Sequence, residues 1–271
     1  MIIKGLRNHK SRCLKVYIFG LPILCMKLLE DLGRFILLIK RSLVRPPNWR
    51  MYGQELVRQM YDIGNGSIVI IALIAIFIGA VTAVQFLYQL DGTLIPRWYV
   101  GYIVRDSTII ELAPTISCLV LAGKVGSNMA SEIGGMRQKE HIDAMEVMGV
   151  NTPSYIILPK ILAALMVIPL LVILAAFVSI IGGYLASVLG GYMNTEEYTR
   201  GLRAFFLSRN LWMMLVKAGV FAFILTSVAC YQGYYVKGGS VELGKASTNA
   251  VVLSNILILV SDYLIALMFT T

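Results

Sequence analysis

Charge is what this sequence has least of. Only 14% of its 271 residues are Asp, Glu, Lys or Arg, while 58% are hydrophobic, and mean hydropathy is +0.75. A soluble domain carries roughly a quarter charged residues, so a large soluble core is excluded in favour of a bilayer. Histidine is nearly absent, with only His9 and His141, and both lie outside the long apolar runs. A serine nucleophile needs a base within hydrogen-bond reach, which excludes a Ser–His dyad inside a membrane. A two-aspartate protease needs a pair of membrane aspartates, and only Asp262 lies clearly inside an apolar run. The four cysteines, Cys13, Cys25, Cys118 and Cys230, show no metal-finger spacing. They read as reduced and structural, not as a disulfide framework. The basic N-terminus lacks a small-residue cleavage site after a short apolar core, so no removable signal peptide is expected.

Long apolar runs are what the chain has instead. A spanning helix needs about 20 mostly apolar residues, at about 1.5 Å each across about 30 Å of hydrocarbon. Five segments meet or approach this: Ile63 to Leu90, Asp106 to Ala122, Ile161 to Asn194, Asn210 to Val236 and Thr248 to Met268. The second carries Glu111 inside it, the fourth Lys217 and the fifth Asp262. Ahead of them, Leu21 to Val44 repeats apolar residues every three or four positions among charged ones. That pattern predicts an amphipathic helix lying on the membrane surface, ended by "RPPNW". The fold expected is therefore all-α: five transmembrane helices and an N-terminal interfacial helix.

Net charge is +9, and twelve of the 24 Lys and Arg precede Ile63. The positive-inside rule puts that end in the cytoplasm. Five crossings then place 123–160 and 237–247 inside, 91–105 and 195–209 outside, and the C-terminus outside. Small residues recur every fourth position at Ala75, Gly79 and Ala83, and at Gly182, Ala186 and Gly190. Such rows let helix backbones approach closely in lipid, within one chain or between two.

"GGSVELGKAS" resembles a phosphate-binding loop at Gly239, Gly244 and Lys245 but ends on Ala246, where a hydroxyl should hold magnesium. It also follows a membrane helix rather than a strand, so ATP hydrolysis is expected from another polypeptide. Glu111, just before Pro114, could face a polar cavity or pair with a neighbour such as Arg105. Lys217 and Asp262 read as snorkelling or paired. "RQKEHIDAMEVMGV", Arg137 to Val150, places Glu140, His141, Asp143 and Glu146 within seven residues. As a helix it turns His141 about 100° from Glu140, leaving an acidic ridge of Glu140, Asp143 and Glu146 rather than a metal cage. Ile142, Met145, Val147 and Met148 add apolar contact on other sides. The pattern fits a cytoplasmic handle for a partner protein.

"LAGKVGSNMASEIGGMRQKEHIDAMEVMGVNTPSYIILPK", Leu121 to Lys160, resembles the signature of the MlaE/YrbE family, permease subunits of ABC-type lipid transporters. "CYQGYYVKGGSVELGKASTNAVV", Cys230 to Val252, and "IIELAPT" match further stretches of the family pattern, the latter with "ELAP" for the commoner "ELGP". The resemblance covers roughly Tyr61 to the C-terminus. It implies a leader over 1–60 and a permease domain over 61–271, with a coupling helix at about 126–150 docking on an ATPase. It further implies a homodimer in a Gram-negative inner membrane, a cytoplasmic ABC ATPase that binds the ATP and Mg, and a periplasmic MCE-domain partner. No cofactor on this chain, no catalytic residue and no nucleic acid is implied. The cargo would be phospholipid, in the service of outer-membrane asymmetry, with Gln85, Tyr88 and Glu111 nominated for the lipid cavity. Glu140, Asp143 and Glu146 would meet basic residues of the ATPase, and Ile142, Met145 and Met148 would fill its groove. A different class of reading is a non-transporting anchor or channel-like scaffold for an MCE protein; ATPase activity that depends on this chain separates the two.

Overall fold

With no water in a bilayer core, an apolar run must satisfy its own backbone, and a helix does so within one segment. The computed structural model describes residues 29–43, 49–91 and 95–270, and its regular elements are all helical. Helix α1 covers 29–42. The chain continues through α2 (Trp49–Leu90), α3 (Tyr99–Gln138), α4 (His141–Val147), α5 (Thr152–Leu189), α6 (Thr195–Arg203), α7 (Ser208–Tyr234) and α8 (Ser240–Thr270). Five of these, α2, α3, α5, α7 and α8, are long and apolar enough to cross a membrane.

Four of the five spans are longer than the apolar runs that announced them. Helix α2 starts well before Ile63, α3 runs through to Gln138, and α5 begins at Thr152 rather than Ile161. Lys124 and Lys160 look like membrane edges in the sequence. In the fold each has a partner, so the helices carry on past them. Lys124 Nζ donates to the Gly66 carbonyl, and Lys160 Nζ reaches Glu132 Oε2 at 2.6 Å and Gln59 Oε1 at 3.1 Å. The stretch 126–150 is consequently not one helix. Its first part is the tail of α3 and its second is the separate short α4, divided at Lys139 and Glu140.

Helix α3 is not uniformly α-helical. It widens into π-helical turns over Thr108–Ile116 and Ala122–Gly126. Pro114 lies in the first, where its missing N–H and its ring disturb the α ladder. Widened turns of this kind concentrate at functional sites.

The small-residue rows are used inside the chain. Gly79 of α2 lies on the Ser179 backbone of α5, and Gly182 of α5 lies on the Ile76 backbone of α2, so that a Cβ at either would collide with a carbonyl. The two helices run parallel, with Gly64 beside Val167 at the other end of the contact. A core of Ile71, Ala75, Leu121, Ala164, Ile168, Val172, Phe221 and Leu225 joins α2, α3, α5 and α7.

Helix α1 keeps the expected two-sidedness. Leu38 is buried against a cluster containing Ile142 and Tyr234, Phe35 packs edge-on against Tyr231, and Leu29, Leu32, Ile36 and Leu37 stay exposed. Residues 21–28 of that expected helix, with Cys13 and Cys25, lie outside the described residues. Cys118 and Cys230 are free and buried. Glycines 239 and 244 sit at the start of α8, where Lys245 pairs with Glu242 at 2.8 Å; no strand precedes them among the described residues. The phosphate-loop likeness thus has no supporting context.

Candidate functional site

Three lone membrane charges meet. Lys217 of α7 is fully buried; its Nζ lies 2.6 Å from Glu111 Oε1 of α3 and 2.7 Å from Asp262 Oδ1 of α8. It also donates to the Ile110 carbonyl at 3.2 Å, whose α-helical donor four residues on would be Pro114, which has no N–H, and Thr115 Oγ1 donates to Asp262 Oδ2 at 3.1 Å. One ammonium thus serves two carboxyl groups. Of the two expectations for Lys217, pairing is the one seen: its side chain is fully buried against the two acids. Arg105 is not the partner of Glu111: it pairs with Asp106 at 2.7 Å and donates to the carbonyls of Leu202, Ala204 and Phe205. The Glu111 side chain remains 44% exposed, against 15% for Asp262, so it is the more open of the two acids.

The other two cavity candidates sit apart from it. Tyr88 is exposed and lines a small cavity of about 160 Å³ with Asp91, Arg97 and Tyr192 near the end of α2. Gln85 is exposed one turn earlier and lines neither that cavity nor any contact with Glu111 among the described residues. Above this region α6 caps the bundle. Tyr198 is fully buried and donates to the Ile180 carbonyl at 3.1 Å; burial pushes its phenol pKa up. Gly101 and Gly201 let α3 and α6 cross at backbone contact.

At the opposite end, α4 forms a tip whose residues divide unlike the expected ridge. Glu140 is exposed and left-handed, with φ of 59°, and caps the helix instead of belonging to it. Asp143 is held by Arg137 at 2.7 Å. Glu146 turns back to accept from Tyr234 Oη at 2.8 Å and Thr152 Oγ1 at 3.2 Å. Ile142 is fully buried and Met145 is half-buried against the same cluster. Ile142 is therefore a foot of the tip and not a group for a partner's groove. The surface on offer is Glu140, His141, Val147 and Met148, the last two 89% and 71% exposed. Sequence periodicity treats α4 as a straight continuation of α3, and the break at Glu140 reverses which side faces out.

The family model described as Permease MlaE matches residues 56–268. The chain belongs to the MlaE permease family. Among its relatives, a probable ABC transporter permease protein of Rickettsia bellii is 35% identical over 247 residues, covering 90% of this chain and 94% of the relative. One from Synechocystis is 31% identical over 225 residues, covering 81% and 84%. The intermembrane phospholipid transport system permease protein MlaE of Haemophilus influenzae is 30% identical over 241 residues, covering 88% and 92%. As a member of this permease family the chain is a multi-pass membrane protein, and its relatives are named as membrane subunits of ABC transporters. Its matched region takes in the ion trio, the tip and all but the outermost residues of the five spans.

Proposed function

We propose that this permease moves phospholipid between a bacterial inner membrane and a periplasmic MCE-domain protein, driven by a separate cytoplasmic ABC ATPase. It works as a homodimer, with residues 61–271 as the permease unit and 1–60 as a basic leader with an interfacial helix, its last residues already part of α2. The N-terminus is cytoplasmic and the C-terminus periplasmic, since five crossings leave the basic leader inside. The chain holds no catalytic residue, and ATP and Mg belong to the ATPase. Glu111, open to one side of the trio, and Gln85 and Tyr88 near the outer end of α2 face the lipid path.

The observation that carries this reading is the anchoring of the tip. Ile142 is buried in the bundle, and Glu146 is bonded to α7 through Tyr234 and to α5 through Thr152. A force on Glu140, His141, Val147 and Met148 therefore reaches three spanning helices without crossing a flexible loop. Closure of an ATPase against the tip would tilt those helices and alter the cavity at the other end. Replacing Glu140 by Lys and Met148 by Asp together should release the ATPase from the purified complex and abolish ATPase activity that depends on this chain. Unchanged co-purification and unchanged activity would sink the reading.

A further inference from the structure

On the side of the bundle that carries the basic leader, α2 and α3 enclose a second cavity of about 640 Å³. It is remote from Glu111. Asp62, Gly66, Ser67, Lys124, Asn128 and Glu132 are among the residues that line it. Ser67 is only 1% exposed, yet its hydroxyl has no hydrogen-bond partner among the described residues. A helix serine usually bonds its own backbone one turn back, and a buried hydroxyl left unmade is costly. Lys124 is exposed to the cavity and its ammonium reaches only the Gly66 carbonyl, with no carboxylate at ion-pair distance among the described residues. Asp62, exposed on the same cavity, likewise lacks an ion pair there, whereas Glu132 is already held by Lys160. The cavity thus presents one uncompensated cation, one uncompensated anion and one orphan donor, with no ion pair between the two charges.

The level of these groups in the helices is equally informative. From Ser67 to Leu90, α2 rises about 35 Å, and from Tyr99 to Lys124, α3 spans about 37 Å, at about 1.5 Å per residue. Both distances slightly exceed the hydrocarbon core of about 30 Å. Ser67 and Lys124 therefore stand at headgroup depth on the leader side. From Gly66 upward, Ile70, Leu73 and Phe77 share its helix face and are exposed, at 39%, 54% and 64%. An apolar row thus rises into the membrane from the mouth of a charged cavity.

We propose that this cavity binds the headgroup of a zwitterionic phospholipid on the leader side, with the phosphate on Lys124 and Ser67 and the primary ammonium on Asp62. The acyl chains lie along Ile70, Leu73 and Phe77. Phosphate suits a lysine with a vacant coordination sphere, and an ammonium is what an unpaired carboxylate at the interface lacks. The choice of a phospholipid rests on reading the chain as a phospholipid permease. The site adds to that reading a holding place at the end of the bundle opposite Glu111, where lipid sits before or after crossing.

Native mass spectrometry of the purified complex in detergent tests this, using phosphatidylethanolamine, phosphatidylglycerol and millimolar inorganic phosphate as probes. Phosphatidylethanolamine should be retained over phosphatidylglycerol. Lys124→Met should weaken both by about tenfold, the scale of one charge-assisted contact, and Lys124→Arg should restore them. Asp62→Asn should remove the preference between the two lipids, and Ser67→Ala, a milder change, should weaken both by about threefold. Lipid retention unaffected by Lys124→Met and Ser67→Ala would overturn the site. So would displacement of lipid by inorganic phosphate, which would make it a free-anion site, or an unchanged preference in Asp62→Asn. Lipid transport by the same complex is measured separately. Binding that depends on Lys124 in a complex that moves no lipid would reject the transport reading and leave the site standing. Transport with no such binding would do the reverse.

Discussion

Lys217 and Glu111, 106 positions apart in sequence, are joined Nζ to Oε1 at 2.6 Å inside the membrane-spanning bundle. Because Asp262 lies on the same ammonium at 2.7 Å, the lysine is the centre of the cluster and the two acids are its arms. Removing the centre strands two carboxylates. Lys217→Met is expected to destabilise the protein by about 3–5 kcal/mol, the scale for an uncompensated buried charge. Glu111→Gln should cost much less, since Lys217 keeps Asp262 and the Glu111 side chain is 44% exposed. Thermal unfolding in detergent compares them; equal losses would mean the trio is not organised around the lysine. If Glu111 also faces lipid, Glu111→Leu should lower transport while the assembly still purifies intact.

Glycine substitutions separate close approach from mere helix content. Gly182→Val would drive a side chain into the Ile76 backbone, and Gly79→Leu into that of Ser179, so both should prevent the α2–α5 pairing and abolish stable expression. Nothing lies within 4 Å of a Cβ added at Gly219 of α7. Gly219→Ala should therefore raise stability by about 0.5–1 kcal/mol through helix propensity. Expression level and melting temperature read both arms.

These contrasts also show what the sequence could convey. Long charge-free runs announce the five spans because the bilayer forbids anything but a helix there. Their ends were obscured because Glu132 of α3 and Lys160 of α5 pair with each other, and hydropathy counts a charge without seeing what neutralises it. Glu111, Lys217 and Asp262 stood out singly for the same reason. Their meeting depends on three helices packing at one level, which no local pattern encodes. The rows at Ala75 and Gly182 were visible, but only packing decides that they face each other within one chain. At the tip, Glu140 gives no warning of its left-handed backbone, a conformation uncommon outside glycine. That one residue ends α3, turns Ile142 inward and leaves Val147 and Met148 outside.

Arg105 is the tether of the α6 end. It is buried, and its guanidinium donates to the Leu202, Ala204 and Phe205 carbonyls while pairing with Asp106. The Leu202 carbonyl belongs to the last turn of α6 and the other two follow it where the chain turns toward α7, so the helix ladder supplies none of them with a donor. Arg105→Lys keeps the charge but cannot match a planar fork of donors. It should speed amide exchange across 203–207 at least several-fold while leaving α2 and α5 unchanged. Exchange that rises uniformly, or not at all, would mean the tether is dispensable.

The tip offers the sharpest separation between a structural acid and a docking acid. Glu146 is spent on Tyr234 and Thr152, whereas Glu140 is exposed with no side-chain partner among the described residues. Glu146→Ala removes the acceptor shared by two hydroxyls that also face each other at 3.1 Å. It should loosen α4 from α7, raise protease cleavage between 139 and 150, and cost about 1.5–3 kcal/mol, the range for hydrogen bonds to a charged group. Glu140→Lys should leave cleavage and melting unchanged, because no contact within the chain is lost. Its effect should fall only on association with a partner, and should weaken as salt rises, since an exposed charge is screened. Should Glu140→Lys unfold the tip while Glu146→Ala does not, the division of labour drawn from Glu140, Ile142 and Glu146 would be the wrong way round. The force path from tip to bundle would then have to run through Arg137 and Asp143 instead.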